Sequence, residues 1–326
     1  MSFGVSRRSF IRGLGATIAA GVTFPHPAHA ILARGLLYPP TDLSYFDTPI
    51  SSAPGEIRIG YAAITWGAND RQAIDDIAAL GFPGIQLRAN AIKEFGSASQ
   101  LRDLLQARRL LMVALSSGSL RIEPAVEAEE IAKHVANAKF VHDAGGLYLQ
   151  ITDQRPKDRQ VTAADYKRLG RLLTDLGKRT ADLGVTLGYH NHWGTLSERP
   201  EELDHILEAA DPRYVRLELD VAHYFVGHGD PAKAIARYRD RLLFLHIKDA
   251  EWLPSESGAP AKRPYRFVEL GRGQVDLPAV FAALHQVNFR GWAVVELDSV
   301  PDPAGTPKGS AVICKKYLEE RLGLRI

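Results

Sequence analysis

From Ile57 onward the chain repeats one pattern eight times. A short extended apolar run is followed by an amphipathic helical stretch, at a spacing of roughly 30 residues, the length of one strand–helix unit. The extended runs are IRIGYAAITW (57–66), GIQLR (84–88), LLMVALS (110–116), LYLQIT (147–152), VTLGYH (185–190), YVRLELD (214–220), LLFLHIK (242–248) and WAVVELD (292–298). Helical periodicity covers 70–80, 98–108, 126–143, 163–183, 200–209, 231–239, 277–287 and 310–322. Asp276 ahead of Leu277 and Pro278, and Asp230 ahead of Pro231, have the side chains of helix starts. The alternation predicts an α/β protein, a single-domain (β/α)8 TIM barrel over residues 56–326. A doubly wound open sheet alternates in the same way, but no GxGxxG follows the first strand.

Side-chain parity adds a direction, because successive strand residues point to opposite faces. Leu147, Leu149, Ile151, Val185, Leu187, Tyr189, Val215, Leu217, Leu219, Leu243, Leu245, Ile247, Ala293, Val295 and Leu297 form one apolar face, expected to pack under the helices. The other face is expected to point into the barrel. Towards its C-terminal end it carries Gln150, Thr152, His190, His192, Asp220, His246, Lys248, Glu296 and Asp298. That mouth is where barrels of this kind place their chemistry.

The first thirty residues stand apart from this pattern. Arg7 and Arg8 precede a short apolar run from Leu14 to Phe24 and an Ala28-His29-Ala30 ending, which predicts a twin-arginine export signal cleaved after Ala30. Residues 31–55, with Pro39, Pro40, Pro49 and Pro54, read as an irregular leader. The chain as a whole has 40 basic and 38 acidic residues; removing Arg7, Arg8 and Arg12 leaves 37 against 38, a net charge of −1. The expected location is therefore periplasmic, with no membrane anchor after cleavage, and nothing in the charge balance asks for a nucleic acid. Cys314 is the only cysteine, which excludes a disulfide framework and a thiolate metal site. The state of assembly stays open, with a homo-oligomer allowed.

Within the predicted mouth, His190, Asp220, His246 and Glu296 stand near the ends of strands five to eight, separated by 30, 26 and 50 residues. The longest separation includes an insertion over 251–268 whose prolines and glycine deny it a helix; it reads as a lid or as a solvated loop. Singly, each of the four reads as a satisfied buried group. Together, two imidazoles and two carboxylates in one side-chain phase make a site for one divalent ion, Mn, Zn, Co, Fe or, less well, Mg. Left unpaired, such groups would be costly to crowd together.

VRLELDVAH with its Asp-x-x-His, LLFLHIKD, the ELGRGQVD turn and FRGWAVVELD, in that order, resemble the xylose isomerase-like barrel superfamily of sugar isomerases and epimerases, inosose dehydratase and endonuclease IV-type enzymes. YHNHWGT with HIKD and GWAVVELD is most similar to the inosose dehydratase branch. The resemblance implies that Asp220, His246 and Glu296 are metal ligands and that His223 contacts substrate. Many members carry Glu where this chain has His190, which speaks against an epimerisation with paired glutamates.

Such a centre polarises a carbonyl and an adjacent hydroxyl and eases removal of the neighbouring proton. Glu296, His192 and Lys248 are the candidate bases; Lys248 is also readable as the group that steadies the enediolate oxygen, and His192 as a ligand-supporting or packed imidazole. Gln150, Trp66, Gln86, Arg88 and Trp193 are candidate substrate contacts, each equally readable as barrel packing. Gly271-Arg272-Gly273 reads as an anion cradle or as a plain glycine turn. The reaction expected from the whole is β-elimination on an unphosphorylated keto-sugar, 3-keto-glycoside or inosose, with isomerisation or epimerisation as the alternative. More distant readings are a phosphodiesterase of the endonuclease IV kind, which asks for more ligands and a basic surface, and a sugar-binding barrel without catalysis.

Overall fold

The structure, a computed structural model, describes residues 57–253 and 264–326. The export signal, the leader and the middle of the insertion, with Lys262 and Arg263, lie outside the described residues. Eight parallel strands close into a barrel: β1 (Ile57–Ala62), β2 (Gly84–Arg88), β3 (Leu111–Leu120), β4 (Tyr148–Asp153), β5 (Thr186–His190), β6 (Val215–Asp220), β7 (Leu242–Ile247) and, closing onto β1, β10 (Gly291–Val295). Helices α1 (Asp70–Ala79), α3 (Ala98–Ala107), α4 (Glu127–Asp143), α5 (Ala163–Ala181), α6 (Pro200–Ala209), α8 (Pro231–Arg237), α9 (Leu277–Gln286) and α10 (Pro307–Leu322) alternate with them. Two one-turn helices, α2 (Asn90–Phe95) and α7 (Val221–Val226), are additions that the periodicity did not predict; six residues are too few to show a period.

The helix starts follow their capping chemistry. Asp276 accepts from Ala279 N at 3.0 Å and Asp230 from Lys233 N at 3.2 Å. Thr306, followed by Pro307, accepts from Gly309 N at 3.0 Å, so α10 begins three residues earlier than expected. The first expected strand ends at Ala62, because residues 63–66 turn into a short 3-10 helix whose Thr65 hydroxyl donates to Leu297 O at 2.6 Å.

Most of the outward apolar face packs under the helices as expected. Leu147 and Leu243 are exceptions and join Ala62, Val113, Phe244, Trp292 and Val294 in a plug filling the barrel interior. Leu147 precedes the first residue of β4, where alternation has not begun. Leu243 is the extra residue of a bulge: Leu217 pairs with Leu242, yet Glu218 pairs with Phe244. Gly84 makes room for the plug, since a Cβ there would lie 2.4 Å from the Trp292 ring.

The insertion has an ordered stem. β8 (Asp249–Trp252) and β9 (Tyr265–Val268) pair antiparallel, so these flanks form a hairpin at the mouth rather than an irregular loop. Asp249 fastens that hairpin. Its buried carboxylate accepts from the backbone N–H of Ala250, Gly271 and Gly273 at 2.9 Å and of Val275 at 3.1 Å. The Gly271-Arg272-Gly273 turn therefore does wrap an anion, and the anion is the chain's own Asp249. A Cβ at Gly273 would sit 2.2 Å from Asp249 Oδ1.

Asp249→Ala strands these donors and is expected to cost about 3 kcal/mol or more, read as a lower urea midpoint at unchanged slope. A loss under about 1 kcal/mol would show that the turn holds its shape without the carboxylate.

Candidate metal centre

Strand register brings the four expected ligands to one point. His190 ends β5 beside Glu218, Asp220 ends β6 beside His246, and His246 lies beside Val294 of β10. Glu296 follows β10, its N–H extending the ladder to Ile247 O at 3.1 Å. One donor atom from each of His190, Asp220, His246 and Glu296 falls within 4.8 Å of the others, and all four side chains are buried.

Asp220 divides its carboxylate between structure and site. Oδ1 accepts from His223 N at 2.7 Å and caps α7, while Oδ2 faces inward, 3.5 Å from both His190 Nε2 and His246 Nδ1. His246 divides its ring similarly. Nε2 lies 2.8 Å from Gln86 Oε1 and 2.6 Å from Glu218 Oε1; both are acceptors, so Nε2 carries the proton. Nδ1 faces Glu296 Oε2 at 3.1 Å and is buried without a hydrogen bond of good geometry. An orphaned imidazole nitrogen aimed at two carboxylates fits a divalent cation, which this mixed N and O donor set would hold.

Lys248 lies beside the four. Its ammonium is 2.8 Å from Glu296 Oε2 and 2.5 Å from Asp298 Oδ1, and 3.9 Å from the centre of the Phe267 ring. Burial opposes its charge, but Asp298, Glu296 and Asp220 outweigh burial and hold it above the ordinary lysine range. Lys248 is thus positioned as a charged donor. Burial likewise pushes the Asp220 and Glu296 carboxyls up, and the surrounding imidazoles and Lys248 outweigh it, keeping both well below the usual carboxylate range.

His192 and His223 lie together beside His190, their ring centres 3.7 Å apart and their planes tilted by 35°. The backbone of Trp193 sets both tautomers. Its N–H donates to His223 Nδ1 at 3.2 Å, so the His223 proton sits on Nε2. Its C=O lies 2.6 Å from His192 Nδ1, which must donate, leaving the His192 Nε2 lone pair free. Burial, with His190 and Lys248 adding to it, pushes His192 down to about 4, so the ring is neutral at pH 7. One imidazole offers an acceptor and its neighbour an unpartnered buried N–H.

The other expected contacts are distributed differently. Gln86 holds His246, and Gln150 is buried with an unpartnered Oε1. Trp66 packs edge-on against Tyr61 and donates to Asp76 at 2.9 Å. Arg88 bonds the Gly67 carbonyl, and Trp193 is half-buried with its ring edge-on to Tyr265 of the hairpin. Glu218, Asn191 and Phe267 join the site without having been singled out. Asn191 exchanges two hydrogen bonds with the Asp220 backbone, at 3.0 and 3.2 Å. Glu218 had a legible signal: it shares the inward phase of Asp220, two residues on.

If these four residues hold a divalent ion, His190→Ala and Glu296→Ala should each reduce the metal content of purified protein to about a tenth or less. Undiminished metal in both variants, by elemental analysis, contradicts the assignment.

Residues 74–316 match the family described as xylose isomerase-like TIM barrel. Inosose dehydratase of Lacticaseibacillus casei is 26% identical over 298 residues, covering 82% of this chain and 98% of its own. Among solved structures, the IOLI protein with a bound zinc atom superposes with a TM-score of 0.68 at 18% identity, covering 81% of this chain and 97% of its own. D-allulose 3-epimerase from Methylomonas gives a TM-score of 0.65 at 21% identity, covering 82% and 99%. With three quarters of its length matched and an eight-stranded parallel barrel to carry the match, the chain belongs to the xylose isomerase-like TIM barrel family.

Proposed function

We propose that the protein is a divalent-metal-dependent enzyme that removes a proton next to the carbonyl of an unphosphorylated keto-sugar, 3-keto-glycoside or inosose and completes a β-elimination. One observation carries the choice of elimination: beside the four-donor centre stand two adjacent imidazoles of opposite tautomer, one accepting and one donating. The sequence likeness to inosose dehydratase supports a dehydratase-type reaction, and the zinc in the IOLI protein supports a metal at such a centre.

His190, Asp220, His246 and Glu296 would hold the cation. Bound there, a divalent ion supplies Lewis acidity that draws electron density from a carbonyl oxygen. The protein's own groups do the rest. His192 Nε2 takes the proton from the carbon next to the carbonyl. The electron pair forms the new carbon–carbon double bond as the bond from the β-carbon to its hydroxyl or alkoxyl oxygen breaks. The His223 Nε2–H donates a hydrogen bond to that departing oxygen, and the proton that His192 took up passes to it, so that water or an alcohol leaves and both imidazoles end neutral. Lys248 steadies negative charge on the carbonyl oxygen. Epimerisation needs a base on each face of the carbon. Glu296, the remaining candidate base, is engaged by Lys248 and His246.

Incubating the metal-loaded protein with 3-keto-glycosides and inososes in D2O tests this directly. The expected product is an α,β-unsaturated ketone with release of alcohol or water, and His192→Gln should lower kcat about 10²–10⁴-fold at unchanged metal content. Deuterium appearing in an intact sugar, with no unsaturated product, would replace elimination by isomerisation or epimerisation.

The same reading includes export by the twin-arginine route, supported by Arg7 and Arg8, the apolar run to Phe24 and Ala28-His29-Ala30. An exported site favours neutral sugars over sugar phosphates. N-terminal sequencing of the periplasmic protein should then begin at Ile31; a cytoplasmic protein that retains Met1 or Ser2 contradicts export. Among the described residues, no helix is long and apolar enough to cross a membrane.

A further inference from the structure

Glu218 has no role in the chemistry above, yet it occupies the most constrained position near it. It lies on β6 two residues before Asp220, at 0% exposure, beside His190 on one neighbouring strand and Phe244 on the other. Both carboxylate oxygens are buried without a hydrogen bond of good geometry. Among the described residues, the one basic group within ion-pairing distance is the His246 ring, whose Nε2 is 2.6 Å from Glu218 Oε1. A carboxylate in that setting calls for a positive charge to compensate it. Lys248 does not do so; its partners are Glu296, Asp298 and, at 4.0 Å, Asp220.

The opposite nitrogen of the same ring points at the four-donor centre. Carboxylate, Nε2–H, Nδ1 and centre therefore lie in series. Gln86 Oε1, 2.8 Å from Nε2, already suffices to fix the tautomer, since a neutral amide carbonyl accepts that proton. What Glu218 adds beyond Gln86 is charge. A negative group behind an imidazole raises the basicity of its far nitrogen and its affinity for a cation.

We propose that Glu218 is a positioning residue of the metal centre: through His246 it supplies a third carboxylate charge to a divalent ion held by His190, Asp220, His246 and Glu296. This rests on the metal-centre reading above. Without the ion, the charge of Glu218 is met by the His246 ring alone; with it, His246 links that charge to the cation. The same side chain thus contributes more to the loaded protein than to the ion-free one.

That dependence on the ion separates positioning from packing. The test uses the mature chain, manganese(II) as the probe ion, and Glu218→Gln, which keeps size and an acceptor but removes the charge; Glu218→Leu serves as a second variant. Competition with a fluorescent chelator should show manganese binding weakened about 10–100-fold in Glu218→Gln. The gain in melting temperature on adding manganese should be smaller in the variant than in the wild type. In a His246→Ala background, Glu218→Gln should cause no further loss of affinity. Wild-type affinity in Glu218→Gln, alongside weakened binding in His246→Ala, overturns the role of Glu218 and leaves the metal centre standing. Equal lowering of the melting temperature with and without manganese overturns it in favour of packing. Unchanged affinity in His246→Ala as well brings down the metal centre and this inference together.

Discussion

A bulge at one residue sets the geometry on which the site depends. Between β6 and β7 the pairing skips Leu243, and only after that skip does Asp220 come level with His246. Strand side chains alternate with period two, so the opposite phase would turn Asp220 towards the helices. The remaining ligands follow from closure. Each parallel strand in the ring is offset from the last, so His190 on β5 faces Glu218 while Asp220 stands two residues further along. The plug of Phe244, Trp292 and Val294 beneath this layer keeps the lower barrel dry and leaves the upper layer to polar groups.

Those polar groups are unequal in sign. Asp220, Glu296 and Asp298 surround Lys248, the one buried lysine among the described residues, and Glu218 adds a further carboxylate behind His246. Crowded carboxylates in a water-poor interior repel one another, and the folded chain alone offers Lys248 and protonated imidazole as relief. Divalent charge arriving among Asp220, Glu296 and the imidazoles offers more. The surrounding structure is built to keep the donors where they are: Asn191 pins the Asp220 backbone, α7 is capped by its outer oxygen, and Gln86 fixes the His246 ring. Ligands held on strand ends by a rigid body suit a barrel mouth.

Much of this was legible from residue order. The eight units, the inward phase of His190, Asp220, His246 and Glu296, and the proline-led helix starts all follow from local rules with short range. What escaped was decided by tertiary contacts. Trp66, readable as a substrate contact or as barrel packing, has its Nε1–H on Asp76 and its ring edge-on to Tyr61. The Gly271-Arg272-Gly273 turn looked like an anion cradle, and only the fold reveals that Asp249 already fills it. The residues of the insertion near Pro254 suggested no regular structure, while its flanks pair as strands fastened by that same carboxylate. The tautomers of His192 and His223 depend on two backbone atoms of Trp193 and have no signature in the letters YHNHWGT beyond adjacency.

Everything functional proposed for this chain passes through a cation held by four side chains from four successive barrel strands. Crystals of the protein grown with manganese or zinc and measured at the absorption edge of the metal address that claim most directly. The expected result is one strong anomalous peak about 2.0–2.3 Å from His190, Asp220, His246 and Glu296, with His246 engaged through Nδ1. A metal bound elsewhere, or no anomalous peak among these four side chains in metal-saturated crystals, contradicts it.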